Sequence, residues 1–327
     1  MAEPILNQNG WECSIKGWII VDTAVRQQDV VCLLLREKID YEKASMMFDH
    51  QIRSRLVSIS LSRPRNTIQQ SHQGLTDFNM PVLGVERIQG RQSLGIVAAK
   101  NLDGDVLAMG GNVNDPIEQI AKGQSPFTNR LKCINGYTYA VCSGRKIYKR
   151  IQPGNWELFA DLPKISEQQY TMGFDDLDAF SENDMYTVGG CGDIWHFDGT
   201  NWKQLGFPTN AQLATVTCAP DGQVYVSGEG GSLWVGRNES WKKIYSGGSS
   251  ILWNDAVWFD GKLFLASDYQ LRVWNGKELC TVEDNGKAVS AYGHMDAYDG
   301  LLVVAGPEFV YSFDGASWRL LVAPYLD

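Results

Sequence analysis

Short apolar runs, each preceded by a turn residue, recur along this chain at a nearly constant spacing. In each case a five-residue apolar run follows the turn and ends in a small residue six positions later, as in Gly222, "QVYVS", Gly228. The turn residues of the six copies are Gly104, Gly136, Asp184, Gly222, Gly261 and Gly300. They are separated by 32, 48, 38, 39 and 39 residues. A period near 40 residues is typical of repeated structural units.

A second pattern follows the first within most copies. An aromatic residue is followed seven positions later by Trp, as in Trp195 to Trp202 and Trp234 to Trp241. Each copy therefore predicts four short strands; for 213–248 they are "ATVTCA", "QVYVSG", "SLWVG" and "WKKIY". A four-stranded sheet of this size cannot bury both of its faces alone, whereas copies arranged around an axis bury them against one another. The fold class predicted is all-β, a β-propeller.

Seven four-stranded blades are predicted within one domain, 1–327, with six and eight as alternatives. Clear blades cover about 92–327. An N-terminal blade is predicted at 17–62, with strands "GWIIVDTA", "VVCLLLRE", "ASMMFDH" and "RLVSISLS"; the alternative for "YEKASMMF" is a short helix. The stretch 63–91 is rich in Arg, Gln, Ser and Asn, which indicates a long loop or insertion.

The stretch 188–208 resembles a degenerate kelch unit. It contains "VGG", then "FDGTNW", then "LGFP". The other copies are similar to the looser bacterial propeller repeats of the kelch, quinoprotein and YVTN type, and WD dipeptides and sialidase Asp boxes are absent. The resemblance implies a propeller over about 92–327 and says almost nothing about activity, because one fold hosts many functions.

Candidate site residues come from aligning the innermost strands of the blades. Counting back six residues from each turn gives Ala98, Arg130, Asp178, Val216, Asp255 and His294. We expect the four polar ones to face the central channel at one height. One interpretation is a convergent site in which Asp178, Asp255 and His294 bind a metal or carry acid–base chemistry. The interpretation that we favour is that they are solvated or hydrogen-bond neighbouring blades.

Two further residues complete the candidate binding set. Asp176 lies in "FDDLD" (174–178), which is more typical of an acidic loop than of a calcium site. Trp253, in the turn-like "SSILWND", is expected to be exposed and to anchor a partner. No catalytic residue, metal site or cofactor is predicted from motifs.

Charge and cysteine content limit the partners. The formal net charge is −9, which opposes binding to nucleic acid and to anionic lipid but suits a basic protein. No apolar run is long enough to span a bilayer, and the N-terminus does not resemble a secretory signal. The seven cysteines lack C-x-x-C spacing, which favours a reducing cytoplasm.

Three functions are carried forward from the sequence. The leading hypothesis is a non-catalytic, protein-binding propeller in the style of a bacterial immunity protein that blocks a cognate toxin. The alternatives are a hydrolase or lyase acting on a carbohydrate or lactone in the channel, and a glycan-binding lectin.

Overall fold

Seven four-stranded antiparallel sheets form the blades of a β-propeller in the computed structural model. The structure describes residues 3–110, 117–124, 126–163, 173–248 and 251–325. Within every blade the four strands are consecutive in sequence and each pairs with the next. The prediction of an all-β propeller with seven four-stranded blades is confirmed.

The strands are numbered in chain order, and the first strand of each blade is the innermost. Blade 1 contains β1 (Trp18–Gln27), β2 (Val30–Glu37), β3 (Ser54–Ser60) and β4 (Gln70–Leu75), and blade 2 contains β5 (Val82–Glu86), β6 (Leu94–Ala98), β7 (Asp105–Met109) and β8 (Glu118–Gln119). Blade 3 contains β9 (Thr128–Ile134), β10 (Tyr137–Cys142), β11 (Lys146–Gln152) and β12 (Asn155–Asp161), and blade 4 contains β13 (Phe174–Ser181), β14 (Asp184–Gly189), β15 (Asp193–Phe197) and β16 (Trp202–Gln204). Blade 5 contains β17 (Leu213–Cys218), β18 (Val224–Gly228), β19 (Ser232–Arg237) and β20 (Ser240–Tyr245), and blade 6 contains β21 (Asp255–Phe259), β22 (Lys262–Ala266), β23 (Leu271–Trp274) and β24 (Leu279–Thr281). A small hairpin follows, formed by β25 (Glu283–Asp284) and β26 (Lys287–Ala288), and blade 7 contains β27 (His294–Tyr298), β28 (Leu301–Ala305), β29 (Val310–Phe313) and β30 (Trp318–Val322). Two short α-helices, α1 (Gln8–Ser14) and α2 (Tyr41–Ser45), lie before and within blade 1.

The innermost strands close a ring around the central channel. Each contacts the innermost strand of the next blade, and β27 of blade 7 contacts β1 of blade 1. The apolar core lies between neighbouring blades, as the repeat predicts: Trp195 packs with Tyr139 between blades 3 and 4, and Trp234 packs with Tyr186 between blades 4 and 5. Large aromatic side chains fill these wedge-shaped spaces because each buries much apolar area.

The ring is also held where its two ends meet, by the N-terminal segment. The backbone amides of Ile5 and Leu6 donate to the carbonyls of Leu320 and Leu321 at the outer strand of blade 7, at 3.0 and 2.9 Å. The hydroxyl of Tyr325 donates to the carbonyl of Leu6 at 2.8 Å. The side chain of Leu6 is buried in the core between blades 1 and 7. This segment therefore acts as a latch between the first and last blades.

Two predictions about the N-terminal third are wrong. The stretch 63–91, expected as loop or insertion, contains β4 and β5. The stretch "ASMMFDH", expected as a strand, begins with the last two residues of the short helix α2, so the alternative of a short helix in "YEKASMMF" is the correct one. The first of these segments was hard to recognise because β4 is an outer strand with four consecutive exposed residues, which removes the apolar alternation that identifies strands.

In the first copy of the repeat, the apolar run that follows the turn forms the third strand of its blade, whereas in the other copies it forms the second. Gly104 precedes β7, the third strand of blade 2, whereas Gly136 precedes β10, the second strand of blade 3. This displacement explains the short first interval, and it means that Ala98 lies in β6 rather than on an innermost strand.

Candidate functional site

Five polar side chains from five blades meet at one height in the central channel. The first and second strands of each blade form a hairpin, and each of the five side chains belongs to the fifth pair of facing residues in its hairpin, counted from the turn. The pairs are Asp22 with Leu34, Arg130 with Val141, Asp176 with Val188, Asp255 with Ala266 and His294 with Ala305. Because the hairpins are arranged around one axis, residues at equal distance from the turn form a ring. We call these five residues the upper channel ring.

Arg130 connects opposite sides of the upper channel ring. It starts from blade 3, and its Nη1 forms a hydrogen-bonded ion pair with Asp255 Oδ1 of blade 6. Its Nη2 donates to the carbonyl of Asn254 at 2.8 Å, and its Nε lies 3.5 Å from Asp176 Oδ1 of blade 4. Burial alone would lower the pKa of Arg130, but the charges of Asp255, Asp176 and Asp22 raise it above its usual range. The guanidinium is therefore a permanent cation that crosses the channel.

His294 completes the group around Asp255. Its Nδ1 lies 3.2 Å from Asp255 Oδ2 and 3.9 Å from Asp22 Oδ1. Burial would lower the pKa of His294, but the hydrogen bond to Asp255 and the charges of Asp255 and Asp22 raise it to about 9. Burial would likewise raise the pKa of Asp255, but Arg130 and His294 hold it well below its usual range. At neutral pH the group is an imidazolium, a carboxylate and a guanidinium.

A second layer of charges lies two residues further along the innermost strands. Lys132 Nζ lies 3.3 Å from Asp176 Oδ1. Burial would lower the pKa of Lys132, but Asp176 and Asp178 raise it. On the other side of the channel, Asp296 Oδ2 lies 3.4 Å from Nη2 of Arg87. A cavity of about 610 Å³ extends along both layers of the channel; its lining includes Asp22, Arg130 and Asp255 of the upper channel ring, and Arg87, Lys132, Asp178 and Asp296.

Aspartates on the innermost strands also join each blade to the next. In five places a carboxylate oxygen accepts the backbone N–H of the neighbouring innermost strand, at 2.8 to 3.0 Å. The pairs are Asp22 with Leu83, Asp176 with Val216, Asp178 with Cys218, Asp255 with Met295, and Asp296 with Val25. An innermost strand is the edge of its sheet, so the N–H groups that point away from the second strand of its blade have no strand partner. The carboxylates satisfy these groups, which favours the interpretation that the channel residues link blades.

Three of the four polar residues that were aligned from the sequence lie together as expected: Arg130, Asp255 and His294. The fourth, Asp178, lies one layer lower, and Asp176 takes the position predicted for it. Two shifts of one residue cause this: Asp184 is the first residue of β14, whereas the turn glycines of the other copies precede the strand, and a bulge in β13 between Ala179 and Ser181 adds a residue to the hairpin.

Two other expectations are wrong. The "FDDLD" stretch is not a loop, because its residues lie in β13 and Asp176 is buried there. Trp253 is not exposed: it is 4% accessible, packs in the core between blades 5 and 6, and its Nε1 donates to the carbonyl of Gly231 at 3.1 Å. Asp22 and Asp296 were missed, although each is the single acid of its innermost strand, and that was the available signal.

Several general features of the described residues bear on function. In that part of the chain, no group of three His, Cys, Asp or Glu side chains is placed to hold a metal ion. Among the same residues, no helix has the length and apolarity needed to cross a bilayer. All seven cysteines are free thiols.

Comparison with known proteins finds similarity in sequence and in fold. No protein-family model matches the chain. The immune protein Tsi7 of Pseudomonas aeruginosa is 33% identical over 225 residues, which are 66% of this chain and 72% of that protein. The WD40 β-propeller domain of Doa1 superimposes with a TM-score of 0.58 and 12% identity, over 88% of this chain and 90% of that one. YCF48, in its structure bound to D1 peptide, superimposes with a TM-score of 0.56 and 14% identity, over 96% of this chain and 94% of that one. Both structural similarities show the propeller fold alone.

Proposed function

The chain belongs to the family of the immune protein Tsi7, and from that relationship we propose that it is a non-catalytic immunity protein that binds a cognate bacterial toxin and blocks it. The observation that carries this proposal is the 33% identity over 225 residues, which extends over 72% of the relative. A match of that length covers several blades rather than one repeat.

The channel chemistry supports a binding role. A catalytic acid or base needs a free position beside a substrate, whereas Asp255 already accepts from Arg130, His294 and the amide of Met295. Asp176 and Asp178 likewise accept backbone amides of blade 5. The charges of the channel thus join blades into a rigid disc, and the connections at its two faces are left to contact a partner.

The finer features of the proposal follow from charge and thiol chemistry. A net charge of −9 favours a toxin with a basic surface, because complementary charge speeds association and orients the partner. The free thiols suit a reducing cytoplasm, where an immunity protein would meet a toxin directed against its own cell. The kelch-like character of the repeats stays a prediction.

The experiment is a protection assay combined with a binding assay. The toxin gene nearest to this chain's gene is expressed in bacteria with and without the chain, and its inactivated form is used for co-purification. We expect restored growth and a stable complex, and no protection against an unrelated toxin. If the chain neither protects against nor binds any toxin encoded beside it, the proposal is overturned.

A further inference from the structure

The exposed large apolar side chains are concentrated on one face of the disc. We call the face where the innermost strands begin the top face, and the face where they end the bottom face. Because the strands alternate in direction, the top face carries the connections after the second and fourth strands of each blade. Twelve large apolar residues are exposed in the described part of the chain, and eight lie in top-face connections: Tyr41, Met46, Phe48, Met80, Leu102, Phe127, Leu252 and Tyr269. Ile68, Ile117 and Tyr298 lie toward the bottom face, and Leu158 lies on an outer strand.

An insertion in blade 1 carries three of the exposed apolar residues of the top face, more than any other connection. The connection between β2 and β3 covers 38–53, which is 16 residues, whereas the equivalent connections in the other six blades have three to six. In repeat proteins, insertions of this kind often form the binding face. The insertion contains α2, which has no buried residue, and its side chains Tyr41, Met46 and Phe48 are 85%, 80% and 72% exposed.

The insertion nevertheless has a defined shape. Its side chain Asp49 forms an ion pair with Arg36 on β2 and accepts the backbone amide of Met80 at 2.5 Å. Within the insertion, Asp40 caps α2 and the amide of Phe48 donates to Gln51 Oε1 at 2.8 Å. These contacts fix the backbone that carries the exposed apolar side chains before any partner arrives, and such preorganisation lowers the entropic cost of binding.

The top-face connections that carry the exposed apolar residues of blades 1 and 2 are joined to one another. The contact between Asp49 and Met80 joins the insertion to the connection before β5, and paired hydrogen bonds between Asn79 and Lys100, at 2.8 and 3.0 Å, join that connection to the one that contains Leu102. Gly104 in turn packs against Pro126, next to Phe127. We call this surface the apolar crescent; its residues are Tyr41, Met46, Phe48, Met80, Leu102 and Phe127.

Charge at the crescent indicates the chemistry of its partner. Asp40, Glu42 and Asp77 are exposed beside its apolar residues, and Lys43 is the exposed cation of α2. The other two exposed cations of the insertion already form ion pairs, Lys38 with Glu308 and Arg53 with Glu37. A partner that fits would therefore present an apolar centre within a rim of Lys and Arg. The channel cavity is a weaker candidate, because the charged side chains that line it already bind one another or the backbone.

We propose that the apolar crescent is the docking surface through which this chain holds its toxin, with Phe48 and Met46 as the central anchors. The inference rests on the proposed function and adds to it the face, the blades and the residues. Apolar side chains at the centre of an interface carry most of the binding energy, and Met and aromatic residues are enriched there.

The test compares crescent variants with a matched variant on the opposite face. Phe48→Asp and Met46→Asp introduce a charge at exposed positions, and Ile68→Asp does the same at a bottom-face position that is 69% exposed. The probe is the inactivated toxin from the co-purification assay, and its affinity is measured by titration calorimetry. We expect about a 30-fold or greater loss of affinity for each crescent variant and less than about a threefold change for the control. Circular dichroism melting confirms that all three variants are folded.

The outcomes separate the two proposals. If the wild-type chain binds the toxin and both crescent variants bind equally well, the crescent is not the docking surface, while the proposed function stands. If the crescent variants change only the chain's own oligomeric state, the surface belongs to a second copy and the inference is overturned. If the wild-type chain binds no toxin, both proposals fail.

Discussion

Arg130 and Asp255 form an ion pair across the central channel, although they lie 125 residues apart and on blades 3 and 6. Neighbouring blades of a propeller share an apolar interface, but blades on opposite sides of the channel do not. The pair therefore supplies a link that no interblade core provides. It also blocks the channel at the height of the upper ring, since the guanidinium contacts Asp176 and Asn254 at the same time.

Removal of this cation should destabilise the propeller. Arg130→Met leaves Asp255 buried without its nearest cation and leaves Asp176 with Lys132 as its cationic neighbour, and we expect a loss of about 3 kcal/mol in the free energy of unfolding. Urea denaturation followed by tryptophan fluorescence measures the effect. The control is Arg319→Met, whose exposed pair with Asp314 should contribute less than about 1 kcal/mol. Equal stabilities for the two variants would show that the channel pair contributes nothing beyond a surface contact.

Stability should decrease as the pH rises from 6.5 to 9, through His294. In the folded chain Asp255 and Asp22 raise the pKa of His294 to about 9, whereas the ordinary value of 6.5 applies after unfolding. Between these values the folded state retains a proton that the unfolded state has lost, so each increase in pH favours unfolding. His294→Gln should flatten this part of the curve. The measurement is urea denaturation at half-unit pH steps, and identical pH profiles for the variant and the wild type would contradict the assignment.

The N-terminal latch should contribute strongly to stability. Leu6 is 1% accessible and lies in the core shared by blades 1 and 7. Leu6→Ala should therefore cost about 2–5 kcal/mol, as expected for a buried leucine. Leu158→Ala, on an outer strand and 49% exposed, should cost less than about 1 kcal/mol. Differential scanning calorimetry distinguishes them, and equal melting temperatures would show that the N-terminal segment is dispensable.

Thiol reactivity should divide the cysteines by burial. Cys13 and Cys191 are exposed, whereas Cys32 and Cys142 are fully buried. Burial raises the pKa of Cys142 to about 12, so its thiolate is scarce at pH 8 as well as inaccessible. We expect iodoacetamide to label the first two in the native chain and the second two only after unfolding, as measured by mass spectrometry of peptides. Rapid labelling of Cys142 without denaturant would place it outside the interblade core.

Local sequence signals were sufficient for most strands and for the number of blades. Asp-Gly and Asn-Gly turns, such as Asp221-Gly222, start hairpins that can be recognised within a few residues. These local signals failed to reveal β4, because that strand has little apolar alternation. They also predicted a strand in the blade 1 insertion, because the residues around Met46 and Phe48 have strand-like composition. They failed again in blade 4, because the bulge in β13 and the start of β14 at Asp184 together shift the count by two residues, so that Asp176 rather than Asp178 lies in the upper channel ring.

The sequence by itself therefore determined the architecture, since apolar runs and turn residues act over a few positions and repeat about every 40 residues. Tertiary structure decided which residues meet. Arg130 contacts Asp255 only because seven sheets close a ring, and Trp253 is buried only because blade 5 lies against it. The residues of the apolar crescent come together only because hydrogen bonds join the top-face connections that carry them. These contacts join residues that are distant in the chain, and no local pattern encodes the distance between them.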